Sequence, residues 1–583
     1  MVESFWLEIV GSEAADQVQI RGTYRLANLL QEAFLAKQKR LKSTILDVSQ
    51  ITEDPVHRLS RLIRTQWWDN LTRRMDARGV EAASQDDKTV FSRPRIYIPP
   101  GAPEQHAYYS KAAQANPAMK LDVQWLPEGE FTGDFIKSLN FKTGILALEM
   151  DFPDASKPAQ DQEPTALPFI VPGGRFNELY NWDSCFCAIG MIDSHPHLVK
   201  SILRNFIFEI KHYGKILNAN RSYYLGRAQP PFLTDIAVRV YEATKLELDA
   251  KDLLRQAILA AIKEYHNWWM SEPRLDPESG LSKYRPTGRG IPPECEPSQF
   301  AHILNPYAQK HNMTLKELGA AYDDGRIHEP ALDTFFLHDR AVRESGHDTS
   351  NRLEGVCADL ATIDLNALLY RYETDIATCI RTLFDDALSV PAAFCAPGQE
   401  ADHVESSALW DRRARARKAR IDRYCWNEAK GLYFDYNTVT RTQQTYETVT
   451  SLWPLWAGLA TPHQASLLVP TALSKFEQLG GLSTCSEASR GPITPLSPQK
   501  QWDFPYGWAP HQMLAWDGLR RYRYVEEAER VCYRWLGMVT RCFADWNGTV
   551  VEKYDVTEGR APHKVGAEYG NQGLGFEYAP QEG

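Results

Sequence analysis

Two Trp-Asp pairs carry the first chemical signal in this sequence: Trp182-Asp183 within PGGRFNELYNWDS (172–184) and Trp502-Asp503 within KQWDFPYGWAP (500–510). Glycine and proline surround both, and Arg175 precedes the first. An aromatic face buries the apolar C–H side of a pyranose, carboxylates and amides take its hydroxyls, and a guanidinium fork donates to them. The combination suits a neutral sugar. Further segments of the same type are NANRSYYLGRAQPP (218–231), LSKYRPTGRGIPPECEP (281–297), RESGHDTSNR (343–352) and VEKYDVTEGRAPHKVGAEYGNQG (551–573).

Such residues need a scaffold, and the sequence between them is helical. In 21–37, Leu26, Leu29, Leu30, Ala33 and Phe34 fall at i, i+3, i+4, i+7 and i+8, which predicts an amphipathic helix with that stripe inward. Asp54 can cap the next helix, with Pro55 where a missing N–H costs nothing and Leu59, Leu62, Ile63 and Trp67 as its apolar face. Similar periodicity predicts helices near 196–211, 234–246, 252–269, 364–385, 405–422, 449–459, 463–479, 510–520 and 524–543. PRIYIPP (94–100) and DVQWLP (122–127) are strand candidates that could pair, within an irregular elaboration over 80–170. About a dozen helices with few strands predict an all-α protein whose segments 281–297, 480–510 and 545–583 are functional loops.

Bulk properties narrow the ligand. The chain has 583 residues and a net charge of −10, with a pI near 5.9, the opposite of a protein that neutralises phosphates through a lysine and arginine excess. Nucleic acid is therefore not expected as a partner. Ten cysteines are scattered without a CxxC pair or the density of a disulfide scaffold, so reduced thiols are expected. No basic and apolar leader opens the sequence, and no apolar run reaches membrane-spanning length, which predicts a cytoplasmic protein without membrane contact.

The quoted segments resemble, in order, the signatures of the inverting α,α-trehalases built on an (α/α)6 barrel, and in detail the neutral cytosolic members of fungi. TIDLN (362–366) extends the likeness, which runs from about residue 20 to the end. The resemblance implies a single catalytic barrel over 1–583 with a helical and irregular elaboration at 1–170, cleaving α,α-trehalose to two glucoses without a cofactor or metal. Inversion needs one carboxylic acid to protonate the leaving oxygen and one carboxylate to activate water from the opposite face. By resemblance these are Asp348 as acid and Glu552 as base. Arg175, Trp182, Asp183, Asn218, Arg227, Glu294, Arg343, Gly346, Trp502 and Glu568 are carried over as substrate-binding, while Arg221 is expected to hold its own loop and Trp508 to belong to the core. Another inverting (α/α)6 α-glucosidase and a silent trehalose-binding homologue stay open as alternatives.

The departures define further expectations. Cys185 stands where the family has tyrosine after Trp-Asp-x, and Ala228 where it has serine. Family members carry a phosphorylatable tail and a calcium loop upstream of RGTYRLANLL, and continue past PQEG (580–583) into a last barrel helix. Neither the calcium loop, with its alternating acidic residues, nor that helix is visible, so no separate calcium-binding domain is expected here. Calcium or 14-3-3 control would require a segment outside this sequence. Three other motifs are set aside: RRARARKAR (412–420) reads as a solvated helix face, His195-Pro-His197 lacks metal-ligand spacing, and GNQGLG (570–575) lacks the strand and helix of a dinucleotide site.

Overall fold

The computed structural model describes residues 4–8, 17–41, 45–84, 93–129, 131–153, 163–295, 297–494, 497–546, 548–565, 567–568 and 571–572. Five buried helices follow one another in space as in sequence: Asn181–Met191, Leu233–Thr244, Ile363–Leu383, Trp453–Ala457 and Ala509–Arg521, each packed on the next. Outer helices alternate with them. Pro196–Tyr213 lies on the first two, Ala250–Glu264 on the second and third, Ser407–Tyr424 on the third, and Val525–Asp545 on the fifth. Pro462–Phe476 covers the 3₁₀ turn Val449–Leu452 that leads into the fourth. Among the described residues this inner and outer alternation is that of an (α/α)6 barrel. No described helix is long and apolar enough to cross a membrane.

Local chemistry sets the helix ends. Asp54 accepts from the Val56 and His57 amides in front of Pro55, satisfying donors that the first turn leaves orphaned. Thr461 and Gln464 form a reciprocal capping box at the start of Pro462–Phe476, and Gly214, at φ +81°, closes Pro196–Tyr213 in the left-handed conformation that only glycine adopts cheaply.

The differences from the sequence-based expectations are physical. The first helix forms over Gly22–Gln38, yet its predicted apolar stripe faces out: Leu30 is 61% and Phe34 47% exposed, while Asn28 and Glu32 are buried. Glu32 accepts from Arg58 and Arg61 on the following helical segment, and Asn28 donates to the Ile51 carbonyl, so polar pairing rather than periodicity orients this helix. The 80–170 elaboration is more regular than expected. Arg95–Ile98 pairs in parallel with both Asp122–Trp125 and Ile145–Leu146, with the helix Pro103–Ala115 crossing between the first two. The basic run is only partly a solvated face. Arg417 is fully buried and ion-paired to Glu373 at 2.8 Å, whereas Arg412, Arg415 and Arg423 are exposed.

Candidate active site

The general-acid candidate lies in a loop, 345–352, that leaves the C-terminus of the helix Pro330–Glu344. Its far end is anchored by Arg352, which is buried between Asp435, at 2.7 Å from both Nε and Nη2, and Asp364, at 2.6 Å. Asp364 belongs to the TIDLN segment and opens the inner helix Ile363–Leu383. Buried charges of this kind persist only when paired and hydrogen-bonded, so the loop is clamped onto the barrel core.

The second signature holds the middle of the loop. Asp503 is fully buried and accepts from Ser350 Oγ at 2.8 Å, from the Asn351 amide and Nδ2, the latter at 2.7 Å, and from the Tyr446 hydroxyl at 3.1 Å. With its lone pairs so engaged it braces the loop instead of offering an acceptor to sugar hydroxyls, the role its pairing with Trp502 suggested. The Trp502 amide donates to the Thr349 carbonyl at 3.1 Å, and Gln501 Nε2 donates to the Asp348 carbonyl. The same signature supplies the strand Tyr506–Trp508, antiparallel to Lys553–Asp555 with Trp508 opposite Lys553. Glu552 immediately precedes that strand, 40% exposed at its side chain. One segment thus carries the acid loop at its beginning and the base strand at its end.

The first signature faces them. Asn181–Met191 begins the barrel with Trp182 and Asp183 in its first turn. The Trp182 amide donates to Gln229 Oε1, and the Leu179 amide to Asn220 Oδ1 at 2.8 Å, which ties this signature to the NANRSYYLGRAQPP segment. Arg221 in that segment pairs with Glu178 at 2.7 Å. Gly346, at φ +74°, lies so close to Trp182 that an added Cβ would meet the indole at 2.5 Å, so only glycine allows the acid loop to reach the first signature. Trp182, Trp502 and His347 form an aromatic cluster, with Trp182 and Trp502 centroids 5.7 Å apart. Trp508 stacks on Trp502 at 4.0 Å and 6° and donates its indole N–H to the Gln501 carbonyl, a core position.

Electrostatics link the carboxyls. Burial pushes the Asp348 carboxyl up to about 6, against the pull of Arg343 and Arg227. Asp183 is pushed to about 7, first by burial and then by the fields of Asp348 and Glu552. Arg227 pairs with Glu294 at 2.5 Å and lies 4.6 Å over the Tyr224 ring. Burial alone would raise Glu294, but Arg227 and Arg343 hold it below its usual range. Arg343, on the last turn of its helix, pairs with Asp339 at 2.9 Å, and the Asn218 amide donates to the Arg227 carbonyl. Asp348, Glu552, Asp183, Trp182, Trp502, Gly346, Arg227, Glu294, Arg343 and Asn218 thus come together. Arg175 lies in the exposed turn before the helix Asn181–Met191, 4.8 Å over Phe176. Glu568 falls in the short strand Ala567–Glu568, and its side chain lies outside the described residues.

Several further contributors lie in or beside the quoted segments without having been singled out. His347 Nδ1 lies 2.8 Å from the Ser345 carbonyl, which can only accept, so Nε2 of the neutral ring accepts from His511 Nε2 at 3.0 Å. Burial pushes His347 down to about 4 and His511 further, and both rings of this neutral pair pack edge-on against Trp502. Gln501 and Lys553 adjoin signature residues, and that adjacency was the one available signal. Glu344, the other carboxylate near the acid loop, is fully buried and accepts from the Ala228 amide and Trp268 Nε1; it braces the loop behind Arg227. Cys185 is buried, and none of the ten cysteines is disulfide-bonded. Among the described residues no group of histidine, cysteine and carboxylate side chains is arranged to hold a metal ion.

Known proteins resemble this chain in sequence and fold. The chain is 57% identical over 580 residues to the cytosolic neutral trehalase of Pyricularia oryzae, covering 99% of this chain and 78% of that protein. It is 51% identical over 574 residues to the cytosolic neutral trehalase of Saccharomyces cerevisiae, covering 97% and 75%. The solved structure of neutral trehalase Nth1 from Saccharomyces cerevisiae superposes with a TM-score of 0.82 at 51% identity, over 86% of this chain and 91% of that one. With the Trehalase family model matching residues 37–583, the two signatures, the clamped acid loop and the barrel that presents them are those of a member of the trehalase family.

Proposed function

We propose that this chain hydrolyses α,α-trehalose to two glucose molecules with inversion, Asp348 acting as general acid and Glu552 as general base. The observation that carries the assignment is the asymmetry of the two carboxyls. Asp348 is half-buried and its carboxyl is pushed up to about 6, so it keeps a proton to give, whereas Glu552 precedes a separate strand and is more open to solvent and hence to water. Water positioned by Glu552 attacks C1 of one glucosyl unit and loses its proton to that carboxylate. As the C1–O bond breaks, Asp348 protonates the departing oxygen.

The remaining residues bind and orient. Trp182 and Trp502 offer apolar faces, Asn218 and Asp183 take hydroxyls, and Arg227 and Arg343 donate to the sugar while Glu294 fixes the Arg227 fork. Arg175 and Glu568 complete the substrate set, Arg175 from its exposed turn. Trehalose is uncharged, so these arginines act through directed hydrogen bonds rather than through bulk attraction. No cofactor takes part, and neither nucleic acid nor a membrane is a partner. The names of the relatives and the unpaired cysteines support a cytosolic setting.

Incubation with trehalose, maltose and sucrose separates this reading from its alternatives. Glucose release from trehalose alone is expected. Release from maltose or sucrose at comparable rates would make the chain a broader α-glucosidase, and binding of trehalose without release would make it a silent homologue.

A further inference from the structure

Behind the two carboxyls runs a continuous polar link that uses no substrate-binding residue. Gln501 Nε2 donates to the Asp348 carbonyl, Gln501 Oε1 accepts from Lys553 Nζ at 3.1 Å, and the same ammonium lies 3.3 Å from Glu552 Oε1. Gln501 and Lys553 are 5% and 4% exposed. The amide of Gln501 has one possible orientation, because its two neighbours are a carbonyl that only accepts and an ammonium that only donates. Its backbone is tethered as well: the Gln501 carbonyl accepts from Trp508 Nε1 at 2.7 Å, and Trp508 is the register partner of Lys553. The ammonium also lies 5.5 Å over the Trp508 ring, within cation–π range.

We propose that Lys553 and Gln501 are positioning residues that couple the base to the acid loop, setting where the Glu552 carboxylate stands relative to Asp348. The proposal rests on the reading of Asp348 as acid and Glu552 as base. A buried lysine in contact with a half-exposed carboxylate needs a reason, since removing an ammonium from water costs several kcal/mol unless partners replace the lost hydration. Here the partners are one fixed amide oxygen, one indole face and Glu552 itself. With Oε1 engaged by the ammonium, Oε2 is the oxygen that takes the proton from water. In an inverting reaction the water must fit between base and anomeric carbon, with the two carboxyls roughly 6.5–9.5 Å apart, so a link holding both sides of that gap acts on the rate of reaction more than on binding.

The test compares Lys553→Met, Lys553→Arg, Gln501→Met and the Lys553→Met/Gln501→Met double variant on trehalose and on α-glucosyl fluoride. Fluoride leaves with little protonation, so this substrate reads the base half of the reaction alone. Lys553→Met is expected to lower kcat by roughly 10- to 100-fold on both substrates, the cost of a small misplacement of a reacting group, with KM within about threefold and Lys553→Arg recovering most of the loss. The double variant should lose little more than Lys553→Met alone, because the two residues form one link. If Lys553→Met does not fold, Gln501→Met and Lys553→Arg still decide, since Gln501→Met must show the same unchanged KM and lowered kcat. Wild-type kcat in Gln501→Met, losses that multiply in the double variant, or a loss confined to KM would overturn the proposal. Glu552→Gln serves as the control: if it keeps full activity the acid–base reading itself fails, whereas an inactive Glu552→Gln beside a fully active Lys553→Met removes the link alone.

Discussion

Asp348 is the residue on which chemistry and stability make separable predictions. Asp348→Asn keeps the shape of the side chain but has no proton to give, so kcat on trehalose should fall by roughly 10²–10⁴ while substrate binding survives. On α-glucosyl fluoride the variant should be nearly spared; equal damage on both substrates would remove Asp348 as acid. Stability should move the other way. Because the folded-state carboxyl is raised to about 6, the folded protein holds that proton more tightly than the unfolded chain, and the contribution is lost as pH rises through about 6. Asparagine does not titrate. The melting temperature of Asp348→Asn, compared with wild type at pH 4.5 and pH 8, should gain by about 1–3 °C at the higher pH, and a variant less stable at pH 8 would contradict the burial of this group. Activity as a function of pH gives an independent reading: kcat/KM should decline between about pH 6 and 7 as Asp348 and Asp183 ionise.

Arg227 predicts a different signature at the same scale. Its fork is held by Glu294 and backed by Tyr224, and losing a charged donor costs about 1.5–3 kcal/mol, or roughly 10- to 100-fold in affinity. Arg227→Ala should therefore raise KM for trehalose, with direct binding measurements showing the same loss; a normal KM with reduced kcat would assign Arg227 to the transition state alone.

At the scale of elements, the site depends on how closely the acid loop approaches its neighbours. Gly346→Ala forces a side chain onto a backbone at φ +74° and into the Trp182 indole. The strain of about 1–2 kcal/mol and the displaced ring should together lower kcat/KM by roughly 100-fold, with far-ultraviolet circular dichroism unchanged. Wild-type turnover would mean that the loop can yield at this point. Asp503→Ala removes the acceptor shared by Ser350, Asn351 and Tyr446; unfolding should occur several degrees lower, because buried donors are left unmet, and a melting curve like that of wild type would contradict the bracing role.

How much of these elements was legible depends on what fixes them. The barrel helices beginning at 196, 363 and 462 show periodicity within their own sequence. The first helix shows the same periodicity, but Glu32 and Asn28 are turned inward by Arg58 and the Ile51 carbonyl, partners 26 and 23 residues away, and no local pattern contains that. Asp503 failed in a related way. Its neighbour Trp502 and the repeated Trp-Asp spelling suggested a sugar acceptor, whereas four donors brought by the fold consume it.

For the whole molecule, the glycines, prolines and asparagines of the quoted segments mark them as shaped loops, whereas the roles given to the carboxyl pair, the aromatic pair and the arginines within them came through resemblance. Their convergence was legible only through resemblance. No spacing in the chain brings 183, 348 and 552 together; the alternation of inner and outer helices does. The buried supports, His347 with His511 and Gln501 with Lys553, lie in or beside the quoted segments, but their pairing was not legible, since no spacing in the chain brings 347 to 511 or 501 to 553.

The claim that two opposed carboxyls invert the glucosyl centre is tested most directly by proton NMR of trehalose hydrolysis during the first turnovers, before mutarotation mixes the anomers. The account predicts α- and β-glucose released together in equal amounts, the β-anomer coming from the unit attacked by water and the α-anomer from the leaving unit. Release of α-glucose alone would mean retention, and would contradict the assignment of Asp348 and Glu552 as an inverting acid–base pair.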